Sequence, residues 1–341
     1  MGSLGRLRHI CKTIKECSTQ SADSNASTLC INYANVTDLK NLPLPNVSYY
    51  SPLKKQHVEA KKIGFETPNN ISKKYETVIV SVPKTREEAL GQIAIAYEAT
   101  KLGGLIILEG NKRDGIDSII KALSDVIKVE NSIAKAHGKI VIIKVSSDSI
   151  SPFSNQLKQL YPSKNRDGFF SVPGLFSYKK IDSASQFLTS AFDEKVTGDV
   201  IDLGAGWGFL SFKLLSSCSR ITSVTLLDHD LRALDCAKLN IKNEKAKFLW
   251  SDINEVKSLS AKFDNAICNP PFHSNKGKDI KLGINFIKAS HHILKNGGNL
   301  LLVANIQLPY ENVISNLFYD FKVFSQNKHF KIIFAKKSKR A

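Results

Sequence analysis

Phe263-Asp264-Asn265-Ala266-Ile267-Cys268-Asn269-Pro270-Pro271-Phe272 is the stretch whose reading decides the fold. Phe263 to Cys268 is a largely apolar run of strand type, and the two prolines end it. They fix two φ angles and remove two backbone donors, so the carbonyls of Asn269 and Pro270 stand on a stiff ledge. An amide side chain, a rigid carbonyl and an aromatic ring suit a planar group carrying an NH2. The oxygens accept its hydrogens and the ring stacks on its face. Exocyclic amines of nucleobases fit that description. Asn-Pro pairs also simply begin turns, so the surroundings have to decide.

Upstream of the ledge lies Gly204-Ala205-Gly206-Trp207-Gly208, fed by a strand over Asp199–Leu203 and followed by a helix over Phe209–Leu215. Further strands are expected over Val224–Leu227, ending at Asp228, and Phe248–Trp250, ending near Asp252, with a helix over Leu231–Ile241 between them. Downstream come a helix over Ile280–Leu294, a stop at Gly297-Gly298, and strands over Leu300–Ala304, Phe321–Phe324 and Lys331–Ala335. Strand and helix in alternation mean an α/β layer fold with right-handed crossovers. Such a sheet binds ligands at the carboxyl ends of its strands. The glycine turn and the proline ledge are therefore expected to share one crevice.

Glycine at 204, 206 and 208 removes the Cβ atoms that would keep a ligand from the backbone. The spacing is GxGxG, not the GxGxxG of dinucleotide enzymes, and Asp202 precedes it. An anion there repels a pyrophosphate and favours a cationic ligand, such as the sulfonium and ammonium of S-adenosylmethionine. Asp228 is placed to take ribose hydroxyls, and Asp252 to accept from an adenine amino group.

The first half repeats this pattern in worn form. Tyr75-Glu76-Thr77-Val78-Ile79-Val80-Ser81-Val82-Pro83 matches Phe263 to Pro271, and Gly103-Gly104 matches Gly297-Gly298, as expected of a duplication. Ser81-Val82-Pro83-Lys84 has lost the amide, one proline and the ring, and no glycine occurs between Gly5 and Gly64. The first copy should bind no cofactor.

A charge of +17 and a pI near 9.5 favour a polyanionic partner. The lysines at 54, 55, 61, 62, 73 and 74 form a basic group in the first copy that could grip RNA or be merely solvated. No apolar run is long enough for a membrane span, and the N-terminal segment lacks the apolar core of a secretory signal. The six cysteines show no CxxC spacing, and His291-His292 has no third ligand in view, so no metal is expected. Free thiols suit a reducing compartment.

These residues resemble a class I methyltransferase, and more narrowly the RsmC-type family that methylates guanine N2 in bacterial ribosomal RNA. The resemblance rests on the tandem arrangement, Pro173 to Ser177, Asp202 to Gly208, Asn269 to His273, Val303-Ala304-Asn305 with Leu308-Pro309-Tyr310, and Phe330-Lys331. It implies two tandem seven-stranded Rossmann-like α/β domains with an antiparallel final strand. The boundaries expected are a flexible basic tail over 1–30, a degenerate methyltransferase-like domain over 31–148, a linker over 149–166 and a catalytic domain over 167–341. It further implies that Asp202, Gly204, Gly206, Gly208, Asp228 and Asp252 hold S-adenosylmethionine, and that Asn269, Pro270, Pro271 and Phe272 hold the base. The implied substrate is ribosomal RNA or the small ribosomal subunit, most narrowly 16S rRNA, acted on by a cytoplasmic monomer. Methylation of adenine N6 or a glutamine amide would use the same ledge, although those families more often carry Tyr at the fourth position. A non-catalytic RNA-binding assembly protein is the rival from another class.

Overall fold

The fold comes from a computed structural model that describes residues 2–17, 26–124, 126–146, 153–192, 196–271 and 278–338. The chain divides into two compact units, Met1–Pro162 with Val172–Gly174, and Ser163–Ser171 with Leu175–Ala341.

The first unit runs α1 (Gly2–Cys17), β1 (Thr28–Ile31), α2 (Val36–Lys40), β2 (Val47–Tyr50), α3 (Lys54–Ile63), β3 (Tyr75–Ser81), α4 (Arg86–Ala99), β4 (Thr100–Asn111), α5 (Ile116–Ser124), β5 (Asn131–Lys135), β6 (Gly138–Lys144) and α6 (Ser154–Lys158). Its sheet order is β2-β1-β3-β4-β6-β5, six strands where seven were expected. Strands β1 to β4 are parallel, and β6 lies antiparallel between β4 and β5. After α3 the place of a further edge strand is taken by a single bridge, Ser48 to Glu66. The polar segment that follows, with Pro68, is poorly suited to extend that pairing into a strand.

Two expectations about the ends of this unit need correction. Residues 2–17 are not a flexible tail: they form α1, whose Ile10 and Ile14 are buried with Tyr33, Val36, Ile140 and Ile142. Spacing of i, i+4 puts both isoleucines on one helix face. Nor is the stretch before residue 166 simply a linker, because α6 lies within it and Phe153 is buried, its ring centroid 5.0 Å from that of Tyr97.

The second unit contains a short hairpin, β7 (Ser163–Lys164) and β8 (Phe170–Ser171), then α7 (Ser183–Leu188), β9 (Gly198–Leu203), α8 (Phe209–Ser217), β10 (Ile221–Asp228), α9 (Leu231–Asn240), β11 (Ala246–Trp250), β12 (Phe263–Cys268), α10 (Lys278–Ile293), β13 (Leu294–Asn305), α11 (Glu311–Leu317), β14 (Asp320–Gln326) and β15 (Phe330–Lys336). Its seven strands take the order β11-β10-β9-β12-β13-β15-β14. The first five are parallel, and β15 runs antiparallel to both of its neighbours. Alternation along the strands sends Ile201, Leu203, Ala266, Cys268, Leu300 and Leu302 into one core with Ile287 and Ile293 of α10 and Ile314 of α11. Asp202 points the other way, toward α8.

Both units carry the same irregularity. In the first, pairing skips from Tyr75 opposite Thr100 to Thr77 opposite Leu105; in the second it skips from Phe263 opposite Leu294 to Asn265 opposite Asn299. A Cβ on Gly104 would lie 2.7 Å from the Glu76 carbonyl, and one on Gly298 would lie 3.0 Å from the Asp264 carbonyl, so each bulge requires its glycine. The Glu76 carboxylate accepts the Ser27 N–H and pairs with Lys101. Asp264 likewise accepts the Asp199 N–H at 2.9 Å and pairs with Lys295 at 3.0 Å. A shared bulge with a shared polar brace is the mark of one duplicated unit.

Candidate active site

Register places the two motifs at the same edge of the sheet. Leu203 of β9 lies opposite both Cys268 of β12 and Leu227 of β10. One residue further, Gly204, Asn269 and Asp228 leave three adjacent parallel strands, about 4.8 Å apart, in the same direction.

The glycine turn is strained in the way its composition allows. Gly204, Gly206 and Gly208 have φ of +71°, +56° and +90°. A Cβ on Gly204 would come within 3.0 Å of the Phe286 ring, whereas one on Gly206 would meet nothing within 4 Å. Gly206 therefore faces open space. The Gly204 and Ala205 N–H groups donate to the Leu227 carbonyl at 2.8 and 3.0 Å. Asn240 ties Trp207 into the unit by donating to its carbonyl at 2.8 Å, and the Trp207 indole donates to the Phe176 carbonyl at 3.2 Å.

Asp228 ends β10 with both oxygens engaged. Oδ2 accepts the Gly206 N–H at 2.8 Å, and Oδ1 accepts the Asp230 N–H at 2.9 Å. The carboxylate holds the glycine turn in shape, and Oδ2 keeps a lone pair. His229 Nδ1 lies 3.2 Å from Oδ1, and that hydrogen bond raises the imidazole pKa. Asp252 caps the 3-10 turn over Ile253–Leu259, its Oδ1 accepting from the Asn254 backbone and side chain at 2.8 and 2.7 Å.

Asp202 is wholly buried beneath the turn. The Ser211 hydroxyl donates to its Oδ2 at 2.7 Å, and Oδ1 has no partner among the described residues. Burial pushes the carboxyl up to about 7, the Ser211 hydrogen bond opposes that rise, and the charge of Asp228 adds to it. A buried acceptor without a donor is costly unless a ligand supplies one. The ammonium of S-adenosylmethionine is a donor of the right charge, so this site fits that molecule.

On the ledge, Pro270 is buried and Asn269 and Pro271 are half-buried. The Asn269 Nδ2 group donates to Asp182 Oδ2 at 2.9 Å and to Ser185 Oγ at 2.8 Å. A carboxylate only accepts, which fixes the amide with its nitrogen toward Asp182. Oδ1 is left buried and, among the described residues, unpartnered. The fourth member of the ledge, Phe272, lies outside the described residues.

Asp182, Ser185 and Ser211 escaped the sequence reading. Asp182 to Ser185 does carry the signature of a helix start, and Asp182 caps α7 by accepting the Ser185 N–H at 2.8 Å. Its attachment to a residue 87 positions away has no local signal.

In the first unit the corresponding strand ends are closed. Ser81 donates to Glu109 Oε1 at 2.8 Å, and Arg6 of α1 pairs with Oε2 of the same carboxylate at 2.7 Å, both charges being buried. Asn32, with φ of +56°, leaves β1 where the second unit has Gly204. Ser81, Glu109 and Arg6 thus satisfy one another, whereas Asn32 Oδ1 is, like Asn269 Oδ1, buried without a partner among the described residues.

Residues 167–334 match the family model for the methyltransferase small domain, and residues 21–142 match that for its N-terminal partner. The chain is 30% identical over 275 residues to the ribosomal RNA small subunit methyltransferase C of Erwinia tasmaniensis, covering 78% of this chain and 77% of the relative. The Psychromonas ingrahamii protein of the same name is 27% identical over 314 residues, 91% of this chain and 86% of that one. Among solved structures, the T. thermophilus 16S rRNA N2 methyltransferase RsmC, in complex with AdoMet and guanosine, superposes with a TM-score of 0.76 at 21% identity, covering 94% and 90% of the two chains.

Proposed function

The chain belongs to the ribosomal RNA small subunit methyltransferase C family, and on that premise we propose that it methylates the exocyclic N2 of a guanine in 16S rRNA. S-adenosylmethionine is the methyl donor. The observation that carries the reading is the Asn269 amide, oriented by its neighbours so that a buried oxygen awaits a donor.

The N2 amine of guanine is a poor nucleophile because its lone pair is delocalised into the ring. Asn269 Oδ1 and the Pro270 carbonyl accept its two hydrogens, which turns the lone pair out of the ring plane toward the methyl carbon. S-adenosylmethionine, when bound, supplies that methyl on a positively charged sulfur. Asp202 Oδ1 would meet the cationic end of the donor, and Asp228 keeps the turn beside it in shape. Asp252 would take the adenine end. No residue of the ledge has to exchange a proton. Orientation supplies most of the acceleration, which for well-placed reactants reaches about 7–11 kcal/mol. A base inside a helix cannot reach this ledge, so the target guanine is unpaired or flipped out.

The protein works as a cytoplasmic monomer on this reading, and no helix among the described residues is long and apolar enough to cross a membrane. Transfer of labelled methyl to small-subunit rRNA, free and in subunits, tests the assignment. Asn269→Ala should lower the rate about 10²-fold or more, as removal of a preorganised polar group does, with cofactor affinity unchanged. Equal turnover by the variant would overturn the assignment.

A further inference from the structure

We propose that Asp182 and Ser185 are positioning residues for Asn269, and that the Asp182 carboxylate sets both the orientation and the acceptor strength of the amide oxygen that receives the substrate amine. This rests on the reading of Asn269 as that acceptor.

The two ends of a side-chain amide have nearly the same shape, so packing alone does not choose between them. Turned through half a rotation, Asn269 would offer two N–H donors to an amine that itself needs acceptors, and the ledge would repel its substrate. Asp182 prevents this because a carboxylate can only accept. Its Oδ2 takes one Nδ2 hydrogen at 2.9 Å, and the Ser185 hydroxyl oxygen takes the other at 2.8 Å. Both donors of the amide are thereby used. Asp182 is itself held, since the same Oδ2 accepts the Ser185 N–H at 2.8 Å as the cap of α7.

The carboxylate also acts through the amide. Drawing an N–H toward a negative charge shifts electron density onto the amide oxygen, so chained hydrogen bonds strengthen one another. That added density counts when the lone pair of N2 forms the new N–C bond and the C–S electron pair departs with sulfur. Positive charge then moves from sulfur to nitrogen until a proton leaves for water. During this interval an anion stands directly behind the group that holds the nitrogen, and such preorganised charge favours the transition state over the ground state. Asp182 touches neither reactant, and its whole effect is exerted through Asn269.

The test uses the full chain with Asp182→Asn, which retains a helix cap while losing the charge, together with Ser185→Ala, Asn269→Ala and the Asp182→Asn/Asn269→Ala double variant. Single-turnover methyl transfer should fall roughly ten- to hundredfold in Asp182→Asn, the range for one charge-assisted hydrogen bond. S-adenosylmethionine affinity and the melting temperature should stay close to those of the parent. The double variant should be no slower than Asn269→Ala alone, because a residue acting through another contributes nothing once the other is gone. Side-chain amide NMR should show Asn269 Nδ2 hydrogens protected from exchange in the parent and exposed in both Asp182→Asn and Ser185→Ala. If Asp182→Asn lowers the melting temperature, Asp182→Ser, another capping residue, takes its place and is judged on the same rate and double-variant readouts. A dead Asn269→Ala beside fully active Asp182→Asn and Ser185→Ala would overturn the positioning role alone, as would additive losses in the double variant. An active Asn269→Ala would instead overturn the reading of the ledge.

Discussion

Asp202 is a carboxyl whose charge folding opposes: burial lifts it to about 7, from a reference near 3.8. Because the folded value is the raised one, its contribution to stability is full below the unfolded pKa and is lost as pH rises through about 7. A cationic ligand at Oδ1 selects the ionised form and should expel the proton. S-adenosylmethionine should therefore bind more weakly as pH falls below about 7, approaching tenfold per pH unit at the limit. Calorimetry in buffers of different ionisation enthalpy should show proton release on that side, abolished in Asp202→Asn. Affinity independent of pH would place the cation elsewhere. The glycines allow a paired comparison. Alanine at Gly204 adds a clash with Phe286 to the strain of positive φ, which alone costs about 1–2 kcal/mol, whereas alanine at Gly206 brings the strain without a neighbour. Gly204→Ala should thus lower the melting temperature more. Gly206→Ala should lose cofactor affinity out of proportion to its loss of stability, because its methyl enters the space open to the ligand.

Among the elements, α1 contributes most that composition had hidden. Arg6 reaches Glu109 at 2.7 Å in a buried pair, so Arg6→Ala leaves an anion sealed in the first unit. Breaking such a pair costs about 3–5 kcal/mol, which urea unfolding of the first unit should register while cofactor binding by the second is retained. A change below 1 kcal/mol would mean that water reaches Glu109. Residues 1–30 looked like a tail because the short apolar spacing of Ile10 and Ile14 is submerged among cations and polar residues, and only the sheet beneath gives those side chains a destination. Elements that announced themselves did so by local chemistry. Two prolines end β12, three glycines turn the chain after β9, and a glycine pair marks both bulges. The grip of Asp182 and Ser185 on Asn269, and that of Ser211 on Asp202, join elements that only the fold brings together. The six-stranded first sheet was missed for the opposite reason, since the family resemblance implied seven strands in each unit, a completeness that the segment around Pro68 does not deliver.

For the molecule as a whole, duplication has left two copies of one frame with divergent strand ends. Glu76 with Lys101 and Asp264 with Lys295 brace equivalent bulges, so the frame is maintained in both. At the edge where ligands bind, the first copy places the mutually satisfied group Arg6, Glu109 and Ser81 and one orphaned amide oxygen at Asn32, and the second has its buried, unpartnered acceptors among the described residues at Asp202 and Asn269. The net charge of +17 belongs to the scale of the whole chain and should make RNA affinity strongly dependent on salt. A log–log slope of about −0.7 per phosphate contact is expected for single-stranded RNA, with cofactor binding nearly unaffected. A salt-independent affinity would assign RNA recognition to contacts other than phosphates. The most direct measurement is nucleoside mass spectrometry of small-subunit rRNA after incubation with the protein and S-adenosylmethionine labelled in its methyl group. Label should appear in N2-methylguanosine and disappear with Asn269→Ala; label in N6-methyladenosine, or in no nucleoside, would contradict a guanine amine held on the Asn269 ledge.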